Sequence, residues 1–165
     1  MIIRASAPED AVFLQEIHTA CSTRTMRSYY SEEQTAAWLK DRRPEGYLEA
    51  VAQGENFVIA ETDGQVIGFA SWRSAALCAL FVHPDYQGKG VGKELLSVCV
   101  TALAGSGVEL IKLRASMNAI GFYEKCGFIR QALADDVRNG VAIPYARMQG
   151  AVWRIRDCMA AHGPS

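Results

Sequence analysis

The chain has 165 residues, half of them hydrophobic, enough for one compact core of ordinary domain size that needs no disulfide or metal staple. Seventeen Lys and Arg against eighteen Asp and Glu leave a formal net charge of −1, which excludes the overall basic field that draws proteins to nucleic acids or anionic membranes. Five widely spaced cysteines without a CxxC pair, and only three histidines, speak against a metal site and for a reduced, cytoplasmic setting.

The apolar run Ile2-Ile3-Arg4-Ala5 reads as a strand, and Ser6-Ala7-Pro8-Glu9 spells a capping box. The helix it opens carries Ala11, Leu14, Ile17, His18 and Cys21 at helical spacing. A second capping box, Ser31 to Gln34, opens a helix with Trp38 and Leu39, bounded by Pro44, and Tyr47 to Ala52 reads as a further short helix. The period then changes to two, and Phe57 to Thr62 with Val66 to Trp72 form a hairpin about Asp63-Gly64. Ala76 to Val82 is nearly all apolar, as suits a central strand covered on both faces. After a glycine-rich turn, Gly92 to Ala104 is helical in pattern and Val108 to Leu113 returns as a strand, which makes one βαβ crossover. Asn118 to Cys126 reads as a short helix, Phe128 to Leu133 as a strand, and Asn139-Gly140 as the hairpin turn into Val141 to Met148. Residues 1–150 are expected to form one domain, and residues 151–165 a tail containing a terminal helix. Ala75 to Val82 is far shorter than the ~18 residues of a membrane span, and Met1 to Arg4 lacks the features of a signal peptide, so no membrane association is expected.

Gln87-Gly88-Lys89-Gly90-Val91-Gly92-Lys93 joins the buried strand to a helix, where free N–H groups and the positive end of the helix dipole converge on an anion. Neither common nucleotide motif fits. A Walker A loop ending at Gly92-Lys93 needs Gly where Gln87 stands and Ser or Thr where Glu94 stands. A GxGxxG fingerprint starting at Gly88 needs Gly where Lys93 stands.

Leu80-Phe81-Val82-His83-Pro84-Asp85-Tyr86-Gln87-Gly88-Lys89-Gly90-Val91-Gly92 resembles the central motif of the GCN5-related N-acetyltransferases, the GNAT superfamily, with Gln87, Gly90 and Gly92 in its signature positions. Leu113 to Phe128, with Asn118-Ala119, Phe122-Tyr123-Glu124-Lys125 and Gly127-Phe128, is similar to the family's second cofactor segment. The resemblance implies an α/β fold: a mixed, mostly antiparallel sheet with a central parallel pair and helices on both faces. The activity it implies is acetyl-CoA-dependent N-acetyl transfer to a primary amine of a small molecule or peptide, made directly in a ternary complex, with no metal. By the same resemblance, Leu80, Phe81 and Val82 offer backbone hydrogen bonds to the pantetheine arm and thioester. The N–H groups of Gln87, Gly88, Lys89, Gly90, Val91 and Gly92 hold the pyrophosphate. Lys89 and Lys93 either add charge toward the phosphates or are simply solvated. Asn118 binds the pantetheine or caps the short helix, roles that can coexist, and Tyr123 protonates the departing thiolate.

The glutamates that many relatives use as general base fall here on Ala76 and Leu113, so no base is assigned, and the acidic limb of the rate profile is expected to follow the acceptor amine's own pKa. Tyr29, Tyr30, Trp38 and Trp72 are candidates for the acceptor pocket, with core packing as the other reading for Trp38 and Trp72. Cys78, flanked by apolar residues, reads as packing rather than as an acyl-enzyme nucleophile. Two alternatives share the loop: a non-catalytic acyl-CoA sensor, and acyl transfer to a hydroxyl or of a longer chain. The last strand, read as a sheet edge, and Val152, Trp153 and Ile155 in the tail are candidate surfaces for a homodimer.

Overall fold

The computed structural model of the chain describes residues 1–162. Strand β1 (Ile2–Ala5) leads through a 3₁₀ turn (Pro8–Asp10) into α1 (Ala11–Ala20), which runs on as a π turn (Cys21–Thr25). Helices α2 (Glu32–Leu39) and α3 (Pro44–Ala52) precede β2 (Asn56–Thr62), β3 (Gln65–Arg73) and β4 (Ala76–Val82). Then come α4 (Val91–Gly105), β5 (Leu110–Ser116), α5 (Ile120–Lys125), β6 (Ile129–Arg138), β7 (Val141–Ala151) and α6 (Val152–Ala161). The fold is α/β, a seven-stranded sheet in the order β1-β2-β3-β4-β5-β7-β6 in which β4 and β5 form the one parallel pair.

Each face of the sheet is covered by helices whose apolar residues recur at helical spacing. On one face, Leu14 and Ile17 of α1 meet Phe57, Ile59 and Phe69. On the other, Leu95, Leu96, Cys99 and Leu103 of α4, all fully buried, pack with Ile111, Met148 and Ile155. Both expected hairpins form, with Asp63-Gly64 and Asn139-Gly140 taking the paired positive φ values of a type I′ turn.

Four local expectations change. The first helical start sits one residue later than the spelling suggests, with only half of a capping box. Ala7 is the N-cap, and the Asp10 carboxylate accepts from its N–H at 2.7 Å while pairing with Arg4 at 2.8 Å, an arrangement Glu9 cannot reach. Pro44 opens α3 instead of merely closing α2, which ends at Leu39 just before Asp41 takes φ +65°. The last strand is not the sheet edge, because β7 lies between β5 and β6 and leaves β6 outermost. The tail does form a helix, but Val152 and Ile155 are spent on the chain's own core, leaving Trp153 as its exposed ring.

The Arg4–Asp10 pair ties β1 to the start of α1, with the Asp10 side chain 4% exposed. Asp10→Asn is expected to lower stability by about 1–3 kcal/mol at neutral pH, the usual cost of an unmatched buried polar group. Arg4 holds the Asp10 carboxyl below its ordinary range, so this stabilisation is complete above that range and disappears as the pH falls through Asp10's own pKa. Denaturant titrations from neutral pH downward check this, and a neutral-pH midpoint equal to wild type would show that the pair contributes nothing.

Candidate active site

Strand β4 follows β3 antiparallel to its end, where Gly68 pairs with Val82, but it meets β5 only at Ala76 with Lys112 and Leu77 with Leu113. From Cys78 to Val82 the side of β4 turned toward β5 has no strand partner. The departure coincides with a β-bulge: Ser71 pairs with Ala79 and Trp72 with Leu77, which makes Cys78 the extra residue. Such a residue bends its strand and breaks the ladder locally. The gap opens into a cleft of about 520 Å³ walled by α1, α2, α3, β4, α5 and the β6–β7 hairpin.

At one end of the gap stands the glycine loop. Gly88 and Gly90 have φ +74° and +83°, and Gly90 is the N-cap of α4, with no side chain capping the helix. The first helical hydrogen bond runs from the Glu94 N–H to the Gly90 carbonyl at 3.1 Å, so the N–H groups of Gly90, Val91 and Gly92 face outward from the helix start. A Cβ on Gly92 would rest in ordinary contact, 3.5 Å from Phe122, so the chain's own packing does not require glycine there. Gln87 differs from expectation. Its N–H donates to the Pro84 carbonyl at 3.4 Å, and its side chain turns inward to the Val82 carbonyl (2.9 Å) and the Thr25 hydroxyl (3.0 Å). It braces the loop, and the outward N–H run begins after it. The Val82 carbonyl is further taken by the Cys21 thiol at 3.0 Å, and Phe81 turns its carbonyl back toward Gly68 of β3, which leaves Leu80, lining the cleft, as the open part of this end of the β4 edge. Lys89 donates to the Asp85 carbonyl at 3.2 Å and lies over Tyr86, while Lys93 bonds the His162 carbonyl at the end of α6. With Arg156, both lysines line a second cleft between α4 and α6.

Across the gap, Ala119 and not Asn118 caps α5. The Asn118 side-chain oxygen is buried with no hydrogen-bond partner among the described residues, an orphan acceptor of the kind an amide-rich ligand satisfies. Tyr123 is 6% exposed, reaches the cleft, and is wedged edge-on against Phe122 and Phe128. Burial pushes its pKa up, so the phenol stays protonated.

The cleft's opposite wall comes from residues scattered along the chain. Tyr30 and Trp38 line it, with the Tyr30 hydroxyl donating to the Pro144 carbonyl at 2.7 Å. Tyr29 is exposed outside it, and Trp72 packs on the α4 face of the sheet. Four groups that the sequence did not single out for this wall join them: His18, Arg42, Tyr47 and Glu55. The Trp38 indole N–H donates to His18 Nε2 at 2.9 Å, His18 Nδ1 lies 3.1 Å from the Tyr47 hydroxyl, and the His18 ring stacks on Phe81 at 4.2 Å. The Glu55 carboxylate accepts from the fully buried Ser71 hydroxyl at 2.5 Å and lies close enough to Cys78 to help burial raise the thiol's pKa. Cys78 is therefore a thiol and not a thiolate, a poor nucleophile. Only the long-range pairing of β3 with β4 reveals Glu55, since it stands just outside the strand pattern. Among the described residues no group of three or more metal-ligating side chains converges, and no helix is long and apolar enough to cross a membrane.

Residues 26–149 match the family model described as an acetyltransferase (GNAT) domain. A GCN5-related N-acetyltransferase from Rhodopseudomonas palustris superposes with a TM-score of 0.85 at 30% identity, over 91% of this chain and 94% of that one. The PaiA N-acetyltransferase of Thermoplasma acidophilum, solved in complex with coenzyme A, gives 0.73 at 25% identity over 92% and 99%. The uncharacterised N-acetyltransferase YafP of Escherichia coli K12 is 30% identical over 126 residues, 76% of this chain and 79% of that one.

Proposed function

We propose that this chain, which belongs to the GNAT family of N-acetyltransferases, takes acetyl-CoA as its acetyl donor and passes the acetyl group directly to a primary amine held in the cleft beside β4. The observation that carries the reading is the unpaired β4 edge, together with an orphan amide oxygen on the segment that follows β5: an extended, amide-bearing arm laid along that edge would satisfy both. The uncapped start of α4 suits the pyrophosphate of the same molecule, and the coenzyme A bound by the Thermoplasma relative supports the choice of ligand. Acetyl-CoA supplies an activated acyl group, and the chain's residues bind it, orient the amine and move protons.

Asn118 and the backbone of Leu80 hold the arm, and the N–H groups from Gly88 to Gly92 hold the phosphates. Tyr123, kept protonated by burial, hands its proton to the leaving sulfur. Glu55 takes the proton released by the amine, directly or through one water. Its carboxylate reaches the neighbourhood of Cys78 from across the sheet, two residues along β4 from the alanine that replaces the base of many relatives. Release of free thiol from acetyl-CoA against an amine panel tests the whole reading, and absence of both thiol release and calorimetric CoA binding would refute it.

Tyr123→Phe is expected to lower kcat about a hundredfold, the low end of general-acid effects, because a thiol is already a fair leaving group. Acetyl-CoA affinity should barely move, since a phenol used only in the transition state adds nothing to ground-state binding. A phenylalanine variant with wild-type kcat would remove the phenol from the chemistry.

A further inference from the structure

The order of donors and acceptors in the cleft wall restricts what binds against it. An indole N–H donates and never accepts, so His18 Nε2, 2.9 Å from Trp38 Nε1, is the unprotonated nitrogen of the ring. The His18 proton therefore sits on Nδ1 and is donated to the Tyr47 oxygen 3.1 Å away. Burial, with Arg42 and Arg138 nearby, keeps the imidazole neutral, which preserves this one-way chain. The Arg42 guanidinium lies near the same hydroxyl, close enough to oppose the rise that burial gives its pKa. With its oxygen receiving from His18, Tyr47 has its own O–H left to give, and the cleft is where it opens.

Arg42 completes the pattern. Its Nε donates to the Trp38 carbonyl at 3.2 Å and its guanidinium lies 4.8 Å from the Trp38 ring centroid, yet no carboxylate among the described residues forms an ion pair with it. Arg138, over the same ring at 4.4 Å, is already neutralised by Asp136 at 2.8 Å. The lining as a whole carries five Lys and Arg side chains against three Asp and Glu, in a chain whose net charge is −1. A half-buried guanidinium without a counter-ion, beside a hydroxyl with its proton to give, matches a ligand group that is anionic and accepting.

We infer that the acceptor is an amino acid whose carboxylate is held by the Arg42 guanidinium and the Tyr47 hydroxyl. The inference rests on the cleft being the acceptor side of an acetyltransferase. His18 stacks directly on Phe81, so this subsite and β4 share one cleft, in which a molecule bearing both an amine and a carboxylate can lie.

The test compares the common amino acids with their decarboxylated amines, such as phenylalanine with phenethylamine, as acceptors of the acetyl group. The acid member of at least one pair should show a kcat/KM about 10- to 100-fold higher, the worth of a charge-assisted hydrogen bond. Arg42→Gln should bring the ratio near one, and Arg42→Lys, which keeps the charge without the fork, should retain part of it. Tyr47→Phe, which keeps the ring, should weaken calorimetric binding of the acid to the CoA-loaded protein, and it supplies the answer if Arg42→Gln does not fold. Acetylation of amines with no acid preferred, or of no acid at all, overturns the inference while leaving acetyl transfer standing. Failure to bind CoA or to release thiol with any acceptor would instead overturn the acetyltransferase reading.

Discussion

Gly90→Val should weaken acetyl-CoA binding by about a hundredfold or more in a domain that stays folded. Gly90 has φ +83° at the N-cap of α4, a conformation a β-branched residue takes only at a cost of about 1–2 kcal/mol. That strain is small beside the roughly 5–15 kcal/mol that holds a domain together, so the fold survives it. The ligand site does not, because the valine side chain stands where the outward N–H groups of the helix start must approach the pyrophosphate. Losing two charge-assisted hydrogen bonds at about 1.5–3 kcal/mol each accounts for the expected loss. Calorimetry on a variant shown to be folded by circular dichroism reads it directly, and unchanged affinity would move the phosphate site elsewhere.

Glu55→Gln should lower kcat by about 10²- to 10³-fold, the lower half of the range for general base catalysis, while leaving acetyl-CoA affinity intact. Its pH signature separates a proton acceptor from a packing residue. An amine that binds as ammonium and surrenders its proton to Glu55 gives an acidic limb of kcat/KM that belongs to the enzyme. Two acceptors about two pKa units apart should then share one inflection in the wild type, in place of the amine-following limb expected from the sequence alone, whereas in Glu55→Gln the inflection should follow each amine. Inflections that already follow the amine in the wild type, together with a fully active glutamine variant, would return the proton to solvent.

Much of the frame was legible in the sequence because its signals are local. Capping residues, the change from a period of 3.6 to a period of two, two turn dipeptides and the glycine loop each fix a few neighbouring residues, and the structure has an element at every place they mark. Position in the sheet is different. A hairpin looks the same whether its second strand is outermost or inserted, so only the pairing of Leu113 with Met148 and Ala115 with Ala146 reveals that β7 lies inside. The cleft wall is less legible still. His18, Trp38, Tyr47, Glu55 and Arg138 come from five elements or connections, and nothing in their spacing announces that they meet. Trp72 shows the converse: an aromatic on a facing strand invites a pocket role, yet its register turns it to the α4 core.

If the proposed donor engages the orphan oxygen of Asn118, the protein's lifetime would depend on the supply of that donor. An acceptor buried without a partner costs the folded chain about 1–3 kcal/mol, a sizeable part of a typical stability. A ligand that engages it adds its binding free energy to folding, about 2.7 kcal/mol at a hundred times its dissociation constant. The fraction of molecules open to proteolysis would then shrink about a hundredfold when thioester is plentiful and grow when it is scarce. Abundance of the protein in a cell would thus rise and fall with acetyl-CoA, with no dedicated regulator and no change in synthesis.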